Sequence, residues 1–576
     1  MGRLRGVQGR TWAALGIVAV AFVLPIPGLW VYQGPPMEEG FMLAFPQRIL
    51  AGELPHVDFL HLYGPGSLYV LAGVYKVFGS TLGVERTVGI VQHALLVFGM
   101  FSLARPWGRR AATTSALTAL VITITPLGLS AMAWNGALGL AVVGLALIQP
   151  VLSCESTTRV VLSQDRTSLG AAGVCFGVAL LYRPDMVVAV GLAAGVAWFM
   201  VGRDPGARPA RRAGLIGLAA PLALYLPFIA MVGPGNAFEG MFLQPVFDLR
   251  DGRTLPVPPS WAEPDGYLQK AGGLRVSDWP LPMPGIGPQI AMWFWLVPIS
   301  ILFVAVVAWR ALKRRPTDAR TRILAVAAAF DLGLISQALQ RPDTAHLSWV
   351  TCISFALVPL AIAEMWRDRP ALGPGRMGEW IGSAGVRPLA AFSPIAAILL
   401  VIIPFYPLRT YADLVGQTFG RNVFGSPIER GDRVFYYGDE PPARAAQAVV
   451  DELAKRSKPG EKLIVAPFDL SKTPYSDAFF YYLFPELEPG TRYIEMDPGI
   501  ADAEGSGLAE ELRSNDWLIQ SDVWSGWDEP NTSTEAGDLE PNRIVAADYC
   551  EVLDAGVFKL SKIGPCPIPG GPGPGQ

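Results

Sequence analysis

Long apolar runs separated by short polar segments make up most of the first 406 residues. About eleven of these runs approach or reach the length that an α-helix needs to cross a bilayer, about 17–25 residues. They fall at 11–32, 86–104, 111–129, 135–152, 169–184, 186–202, 213–233, 291–309, 323–340, 347–365 and 388–406. This pattern predicts a mainly α fold, a polytopic bundle of transmembrane helices that occupies residues 1–406.

The periodicity changes after residue 406. A helix-like stretch at 443–456 is followed by strand-like stretches at 462–466, 517–520 and 557–560. Strands that alternate with helices are typical of α/β domains, so we predict a soluble α/β domain over 407–566. The Gly- and Pro-rich tail 567–576 is predicted to be disordered.

Composition and charge support this division. Only 16% of residues are charged, whereas soluble domains carry about 25%. Residues 1–406 hold 31 Lys and Arg against 21 Asp and Glu, a net charge of +10, and residues 407–576 hold 15 against 28, a net charge of −13. The near-neutral total of −3 therefore combines a basic membrane part with an acidic soluble part.

The basic residues also predict an orientation. Arg and Lys collect at the N-terminus and after every even-numbered apolar run, and cytoplasmic loops retain positive charge during insertion. We therefore expect a multi-pass protein of the plasma (inner) membrane with a cytoplasmic N-terminus, outer loops at 33–85 and 234–290, and an extracytoplasmic α/β domain. In that compartment Cys550 and Cys566 would be free to form a disulfide.

An acidic pair lies in the first outer loop. Glu38 and Glu39 follow Pro35 and Pro36 and precede an amphipathic run, so they fall in the first turn of a predicted helix. The pair could simply stabilise the positive end of that helix. Alternatively, one of the two carboxylates, in a partly desolvated cleft at the membrane surface, could act as a general base.

The same loop continues with Asp58, His61 and Tyr63. Asp58 and His61 would lie on one side of a helix if the segment were helical. They could orient a hydroxyl group or hold a divalent cation, or they could pair with each other in a structured loop. Tyr63 begins a Tyr-Gly-Pro-Gly turn before a short apolar segment, 66–79, which we expect to be re-entrant or to lie on the membrane surface.

Two Arg-Pro-Asp triplets begin at Arg183 and Arg341, each at the outer end of an apolar run. The simplest interpretation is an Arg–Asp pair that closes each turn. An outward-facing arginine at this depth is also a suitable partner for a lipid phosphate. His346 follows the second triplet closely and strengthens the phosphate interpretation there.

In their order, these motifs resemble the polytopic GT-C glycosyltransferases that use polyprenyl-phosphate sugars, among them mannosyl-, arabinosyl- and aminoarabinosyl-transferases. The resemblance covers residues 11–406 and rests on the acidic pair, a Gly-x-x-Pro-x-x-Asp-Phe element at 52–59, the Tyr-Gly-Pro turn at 63–65, the two Arg-Pro-Asp triplets and His346. The family usually has Asp-Glu at the acidic pair, where this chain has Glu38 and Glu39. The second outer loop, 128–134, lacks the acid found in many relatives, which argues against a metal-dependent mechanism and predicts no metal site.

The resemblance implies an enzyme that transfers a sugar from a polyprenyl-phosphate donor to a glycan, lipid or protein acceptor of the cell envelope. It implies that Glu38, or alternatively Glu39, is the base. Asp58, His61 and Tyr63 would position the acceptor, and Arg183, Arg341 and His346 would bind the donor phosphate. No cofactor is implied with certainty: a divalent cation stays open, although the missing acid in the second outer loop argues against it. No nucleic-acid partner is expected. The alternative is a non-catalytic membrane protein, either a transporter of lipid-linked glycans or a receptor with an extracytoplasmic binding domain.

Overall fold

The computed structural model describes residues 2–32, 34, 36–153, 159–201, 207–272, 284–367, 407–421 and 423–566. Long helices form the first part of the chain, as predicted, and ten of the eleven apolar runs lie on helices. The run at 388–406 falls outside the described residues. The helices that carry the ten runs are Gly2–Val23, Ile26–Trp30, Leu82–Ala104, Arg109–Leu127, Ala133–Ser153, Arg159–Tyr182, Val187–Met200, Arg208–Leu222, Tyr225–Val232, Ile286–Arg314, Ala319–Gln340 and Thr344–Arg367.

Seven helical segments in the described part of the chain are long and apolar enough to cross a membrane by length and composition. The protein is therefore a multi-pass membrane protein of mainly α structure, and the predicted fold class is confirmed. The runs at 111–129, 169–184 and 186–202 are also helical but are not among these seven. The seven segments are Thr11–Trp30, Leu82–Trp107, Ala133–Ser153, Arg208–Val232, Ile286–Arg314, Ala319–Gln340 and Thr344–Arg367.

Glycines allow two of the helices to approach at backbone distance. Helix Arg159–Tyr182 packs along Arg208–Leu222, and a Cβ added at Gly217 would lie 2.1 Å from the carbonyl oxygen of Gly170. On the other helix, a Cβ at Gly173 would lie 2.2 Å from the carbonyl oxygen of Gly214. Small residues at such spacing are a common way for membrane helices to associate.

The first outer loop contains two short helices. Gly66–Phe78 is too short to span a membrane and leaves Val77 and Phe78 exposed, which fits the predicted re-entrant or surface segment. The amphipathic run after the acidic pair, which we expected to be re-entrant or to lie on the membrane surface, forms the helix Pro36–Leu50. It is not a surface helix, because Phe41 to Phe45 are all buried. It packs against Phe479–Leu483 of the α/β part, where the backbone nitrogen of Phe479 would lie 2.8 Å from a Cβ at residue 40.

The other outer segment follows the helix Tyr225–Val232. It continues as a short helix, Pro234–Phe238, a π-helix, Glu239–Asp248, and two further turns of helix. The last two are Arg250–Arg253 and Tyr267–Gly272.

The C-terminal part is an α/β unit, as predicted. Its main sheet has five strands in the order β4-β3-β5-β7-β6, in which β3 is parallel to β4 and β5, and β7 is antiparallel to β5 and β6. A separate hairpin pairs β1 with β2. The strands are β1 Ser426–Arg430, β2 Arg433–Tyr437, β3 Lys462–Pro467, β4 Glu488–Pro489, β5 Trp517–Ser521, β6 Tyr549–Asp554 and β7 Phe558–Ile563, and the helices are Pro407–Thr418, Glu440–Arg456, Phe479–Leu483, Leu508–Arg513 and Glu540–Asp548.

Two features mark the ends of this unit. Cys550 and Cys566 form a disulfide, with their Cα atoms 4.9 Å apart. At the other end, the predicted boundary at 407 falls on a helix that packs on the membrane part. The hydroxyl of Tyr411 donates to the carbonyl of Ala21 at 2.6 Å, and the hydroxyl of Thr418 donates to the carbonyl of Leu24 at 2.7 Å.

The close helix contact predicts an asymmetric response to the same substitution. Gly217→Ala should lower the thermal stability of the protein, because an added methyl group must push the two backbones apart, at a cost of about 1–3 kcal/mol. Gly191→Ala is the matched control, since nothing lies within 4 Å of a Cβ there and alanine is the better helix former. Thermal unfolding in detergent measures both, and equal midpoints for the two variants would contradict this packing.

Candidate active site

The two acids of the first outer loop have different surroundings. Glu39 is fully buried and forms a bidentate ion pair with Arg86, with both N–O distances at 2.7 Å. Glu38, one position earlier in the first turn of the same helix, is partly exposed and forms no ion pair within the described residues. The structure thus separates two neighbours that the sequence leaves equivalent.

Arg86 fixes the position of this helix. Its five N–H donors are all used, because the two that bind Glu39 are joined by three that bind carbonyl oxygens just before the helix. Those oxygens belong to Leu29, Trp30 and Tyr32, at 2.7 to 3.0 Å. A buried arginine with every donor satisfied defines where the first turn lies, and therefore where Glu38 lies.

Glu38 has an unusual titration behaviour. Burial, with a smaller contribution from the negative charge of Asp343, raises its pKa to about 7, against the opposing effects of a backbone hydrogen bond and of the charges of Arg253 and Arg341. The carboxylate therefore exchanges its proton near neutral pH, as a general base must. We use the name candidate site for Glu38 together with Arg253, Arg341, Asp343 and His346.

The second Arg-Pro-Asp triplet lies beside Glu38. Arg341 donates from Nε to Asp343 at 2.9 Å, and its other two nitrogens bind the carbonyl of Arg253 and the carboxylate of Glu529. The predicted Arg–Asp turn is therefore formed, and each of the three guanidinium nitrogens donates one hydrogen bond to the protein.

His346 is held by the same aspartate. Its backbone N–H donates to Asp343 at 2.9 Å, and its Nδ1 lies 2.9 Å from the same carboxylate. Burial disfavours the Asp343 carboxylate, but His346 and Arg341 outweigh that effect and hold its pKa at about 2. An ionised carboxylate can only accept, so Nδ1 must carry a proton and Nε2 faces away from Asp343.

Arg253 is a member of the candidate site that the sequence reasoning missed. It lies in the loop 234–290 and forms ion pairs with Glu495, at 3.8 Å, and with Asp497. Its Nε forms no hydrogen bond within the described structure. Burial raises the pKa of Glu495 to about 7, against the opposing charge of Arg253. Arg253 belongs to no sequence motif. The only signal was the excess of acidic residues in the C-terminal part, which indicated that arginines of the membrane part would face that acidic part.

The first Arg-Pro-Asp triplet, which begins at Arg183, lies beside two aromatic rings. Arg183 forms a bidentate pair with Asp185, at 2.9 and 2.6 Å, and its guanidinium lies between the rings of Tyr63 and Trp134, 4.1 and 4.3 Å from their centres. Trp134 was also missed by the sequence reasoning. Flat stacking on two aromatic rings holds the cation at low exposure.

Aromatic rings in contact with one another connect the two Arg-Pro-Asp triplets. Trp134 lies 5.2 Å from Trp349, and Trp349 lies 4.9 Å from the ring of His346. The structure therefore brings Arg183, Tyr63 and His346 into one continuous layer with the candidate site.

Asp58 and His61 are not brought together as expected. The segment that contains them is a loop rather than a helix, so the spacing of three does not align them. Asp58 is exposed and accepts the backbone N–H of Leu54 at 2.7 Å, which closes a local turn. His61 is buried, 5.6 Å from the ring of Tyr63, and burial lowers its pKa well below the usual value.

Within the described residues, no group of three or more His, Cys, Asp or Glu side chains is arranged to hold a metal ion.

Comparisons with solved structures identify the fold. The crystal structure of ArnT from Cupriavidus metallidurans bound to undecaprenyl phosphate superposes with a TM-score of 0.50 and 14% identity, over 96% of this chain and 98% of that chain. Archaeal oligosaccharyltransferase AglB from Archaeoglobus fulgidus, in complex with an inhibitory peptide and a dolichol-phosphate, gives a TM-score of 0.46 and 12% identity, over 95% of this chain and 74% of that chain. No protein-family model and no curated protein sequence matches. The chain has the fold of ArnT, which confirms the expected resemblance at the level of the fold.

The different surroundings of the two acids predict different effects on stability. Glu39→Ala should destabilise the protein by about 3–5 kcal/mol, because it leaves the charge of Arg86 buried without its partner. Glu38→Ala should leave the unfolding midpoint unchanged or slightly raised, because it removes a partly buried acid that has no ion-pair partner among the described residues. Thermal unfolding of the two variants side by side measures the difference. Equal decreases in the unfolding midpoint would show that the ion pair of Glu39 contributes no more to stability than Glu38 does.

Proposed function

We propose that this protein is a membrane glycosyltransferase of the GT-C type, which transfers a sugar from a polyprenyl-phosphate donor to an extracytoplasmic glycan, lipid or protein acceptor. The observation that carries the proposal is Glu38, a carboxylate with a pKa of about 7 beside Arg253 and Arg341. A base and a cationic surface within one site suit a reaction that removes a proton and releases a phosphate. The ArnT-like fold supports it, since that ArnT structure contains undecaprenyl phosphate.

In the proposed reaction Glu38 is the catalytic base. It takes the proton of an acceptor hydroxyl as that oxygen attacks the anomeric carbon of the donor sugar. A bond forms between the acceptor oxygen and the anomeric carbon, and the bond from that carbon to the phosphate oxygen breaks. The electron pair leaves with the polyprenyl phosphate, whose lipid tail remains in the bilayer.

In the proposed reaction, cationic side chains of the candidate site stabilise the phosphate of the donor. The Nε of Arg253 is a donor suited to direct contact, because it makes no hydrogen bond to another described residue in the structure. His346 adds a second donor at Nε2 when its ring carries two protons, since Nδ1 already faces Asp343. Arg341 supports them as a positioning residue, since its own donors already bind Asp343, Arg253 and Glu529. Arg183 contributes positive charge from its place between two aromatic rings.

The acceptor side of the site is assigned to the loop of Asp58, His61 and Tyr63. Tyr63 lies against Arg183 and is the member of the three nearest to the cationic surface. His61 lies directly behind Tyr63, 5.6 Å between ring centres. Asp58 acts through the loop conformation that it stabilises rather than by contact.

The proposed orientation places the N-terminus in the cytoplasm of the cell and the α/β unit outside the plasma membrane. Two observations support it. Basic residues follow the even-numbered apolar runs. The disulfide between Cys550 and Cys566 belongs to an oxidising compartment.

The role of Glu38 is tested by Glu38→Gln, which keeps the shape of the side chain and removes the base. Purified protein in nanodiscs is incubated with a panel of radiolabelled undecaprenyl-phosphate sugars and a cell-envelope fraction. We expect kcat to fall about 10²- to 10⁴-fold, with little change in KM for the donor. Arg513→Ala, on the exposed surface of the α/β unit, is the matched control. Full activity in Glu38→Gln would refute the proposed base, and a complete lack of transfer by the wild-type protein across the panel would refute the function.

The titration of Glu38 predicts a pH profile. The base acts only when deprotonated, and burial has raised its pKa to about 7. Transfer should therefore be constant above this pH and fall about tenfold for each unit below it. The logarithm of kcat/KM measured from pH 5 to 9 gives the inflection. A rate that stays flat down to pH 5 would be inconsistent with a raised pKa at the base.

A further inference from the structure

A polar cavity lies beside the first outer loop, apart from the candidate site. It has a volume of ≈ 160 Å³ and is lined by His56, Asn236, Glu239, Gly240, Gln244 and Arg492. These residues come from three distant parts of the chain: the loop before Asp58, the short helix and π-helix after the membrane segment Arg208–Val232, and the α/β unit. None of them takes part in the proposed chemistry at Glu38.

His56 is the feature that marks this cavity as built for a ligand. Its side chain is 6% exposed, and neither ring nitrogen makes a hydrogen bond to any described residue. Buried polar groups in proteins are nearly always paired, and each exception needs an explanation. His56 also has a φ of 69°, an uncommon value for a residue with a side chain, and such strain collects at functional sites.

The surrounding backbone holds His56 in place. The backbone N–H of His56 donates to the carbonyl of Phe59 at 2.9 Å. The backbone N–H of Leu60, which follows Phe59, donates to the carbonyl of Arg492 at 2.9 Å. Gly240 leaves the space that the ring occupies, because a Cβ there would lie 2.1 Å from Nδ1 of His56. A methyl group at residue 240 would therefore displace the ring.

The lining predicts an uncharged, polar ligand. Arg492 and Glu239 have opposite charges, so the cavity has no net charge from these two side chains. Burial lowers the pKa of His56 to about 4, which makes the ring neutral at pH 7 and leaves it one donor and one acceptor. The side-chain amides of Asn236 and Gln244 add both kinds of group. Such a mixture matches hydroxyl groups, which donate and accept at once.

We propose that this cavity is a binding subsite for an uncharged sugar residue, and, resting on the function proposed above, that this sugar belongs to the acceptor. The ring centre of His56 lies 6.1 Å from that of His61, and the ring centre of His61 lies 5.6 Å from that of Tyr63, so a row of neighbouring rings connects the cavity to the acceptor side of the candidate site. An acceptor with more than one sugar residue would place one residue near Tyr63 and another in the cavity.

The position of the cavity also suits an acceptor held at the membrane surface. The π-helix that lines it is separated from a membrane-spanning segment only by the short helix Pro234–Phe238. Phe238, just before the π-helix, and Phe242 and Phe247 within it are about half exposed, in an arrangement typical of segments at the lipid interface.

Binding of sugar alone tests the subsite without any transfer reaction. Full-length protein in nanodiscs, prepared without glycoside detergents, is mixed with the methyl glycosides of arabinose, mannose, galactose and glucose. Saturation-transfer difference NMR then detects binding. We expect signals for at least one glycoside, reduced about fivefold or more in His56→Ala and in Arg492→Ala and retained in the matched control Arg513→Ala. Gly240→Ala, which displaces the ring of His56 without removing it, should give the same loss, and thermal unfolding confirms that each variant is folded.

Several outcomes would overturn the subsite. They are the absence of signal for all four glycosides, equal signals in His56→Ala and the wild type, or displacement of the glycoside by millimolar inorganic phosphate, which would show an anion site instead. Because the donor is absent, the result is independent of transfer. Glycoside binding without any transferase activity would support the subsite and refute the proposed function. Transfer that depends on Glu38, without glycoside binding, would support the proposed function and refute the subsite.

Discussion

The buried ion pair between Glu39 and Arg86 is the interaction on which the candidate site depends. It joins the first turn of the helix Pro36–Leu50 to the membrane helix Leu82–Ala104, and Arg86 further holds the carbonyl groups that end the first membrane segment. Burying two charges is unfavourable unless every donor and acceptor is satisfied, and here the donors are. The rigid turn that results presents Glu38 to the site.

The chemistry of Glu38 comes from a balance of opposing charges. Burial and the negative charge of Asp343 favour its protonated form, and Arg253 and Arg341 favour the ionised form. The arginines are themselves balanced by acids of the α/β unit, Glu495 and Glu529 among them. In the function proposed above, the donor phosphate would meet cations that these acids have already oriented.

Much of the fold could be predicted from the sequence, because membrane helices need long apolar runs. Ten of the eleven predicted runs are helical in the structure, and the α/β character of the C-terminal part is confirmed. The strands β1, β2, β4 and β6 were not predicted. The first three have only two to five residues, too few to show a period, and β6, at the edge of the sheet, carries two acids among its six residues. The disulfide between Cys550 and Cys566 was left open by the sequence and is formed in the structure.

The site was predicted less completely, for physical reasons. Motifs in the sequence identified Glu38, Arg341 and His346, because each lies beside a recognisable turn or helix start. The division of roles between Glu38 and Glu39 was not predictable, because it depends on Arg86, 47 positions away from Glu39. Arg253 lies on a single turn of helix and the acids that face it lie in a loop. Neither segment has a period or motif, and only the folded chain brings them together.

The three hydrogen-bond partners of Arg341 have a consequence for the folding of the protein during synthesis. The guanidinium binds its own turn at Asp343, the loop carbonyl of Arg253 and the carboxylate of Glu529, which is separated from it by 188 positions. All the membrane helices described here have left the ribosome long before residue 529 is synthesised. The cationic surface is therefore completed only when the last part of the chain has folded onto the bundle, so a truncated or half-inserted chain holds Arg341 without its full set of partners.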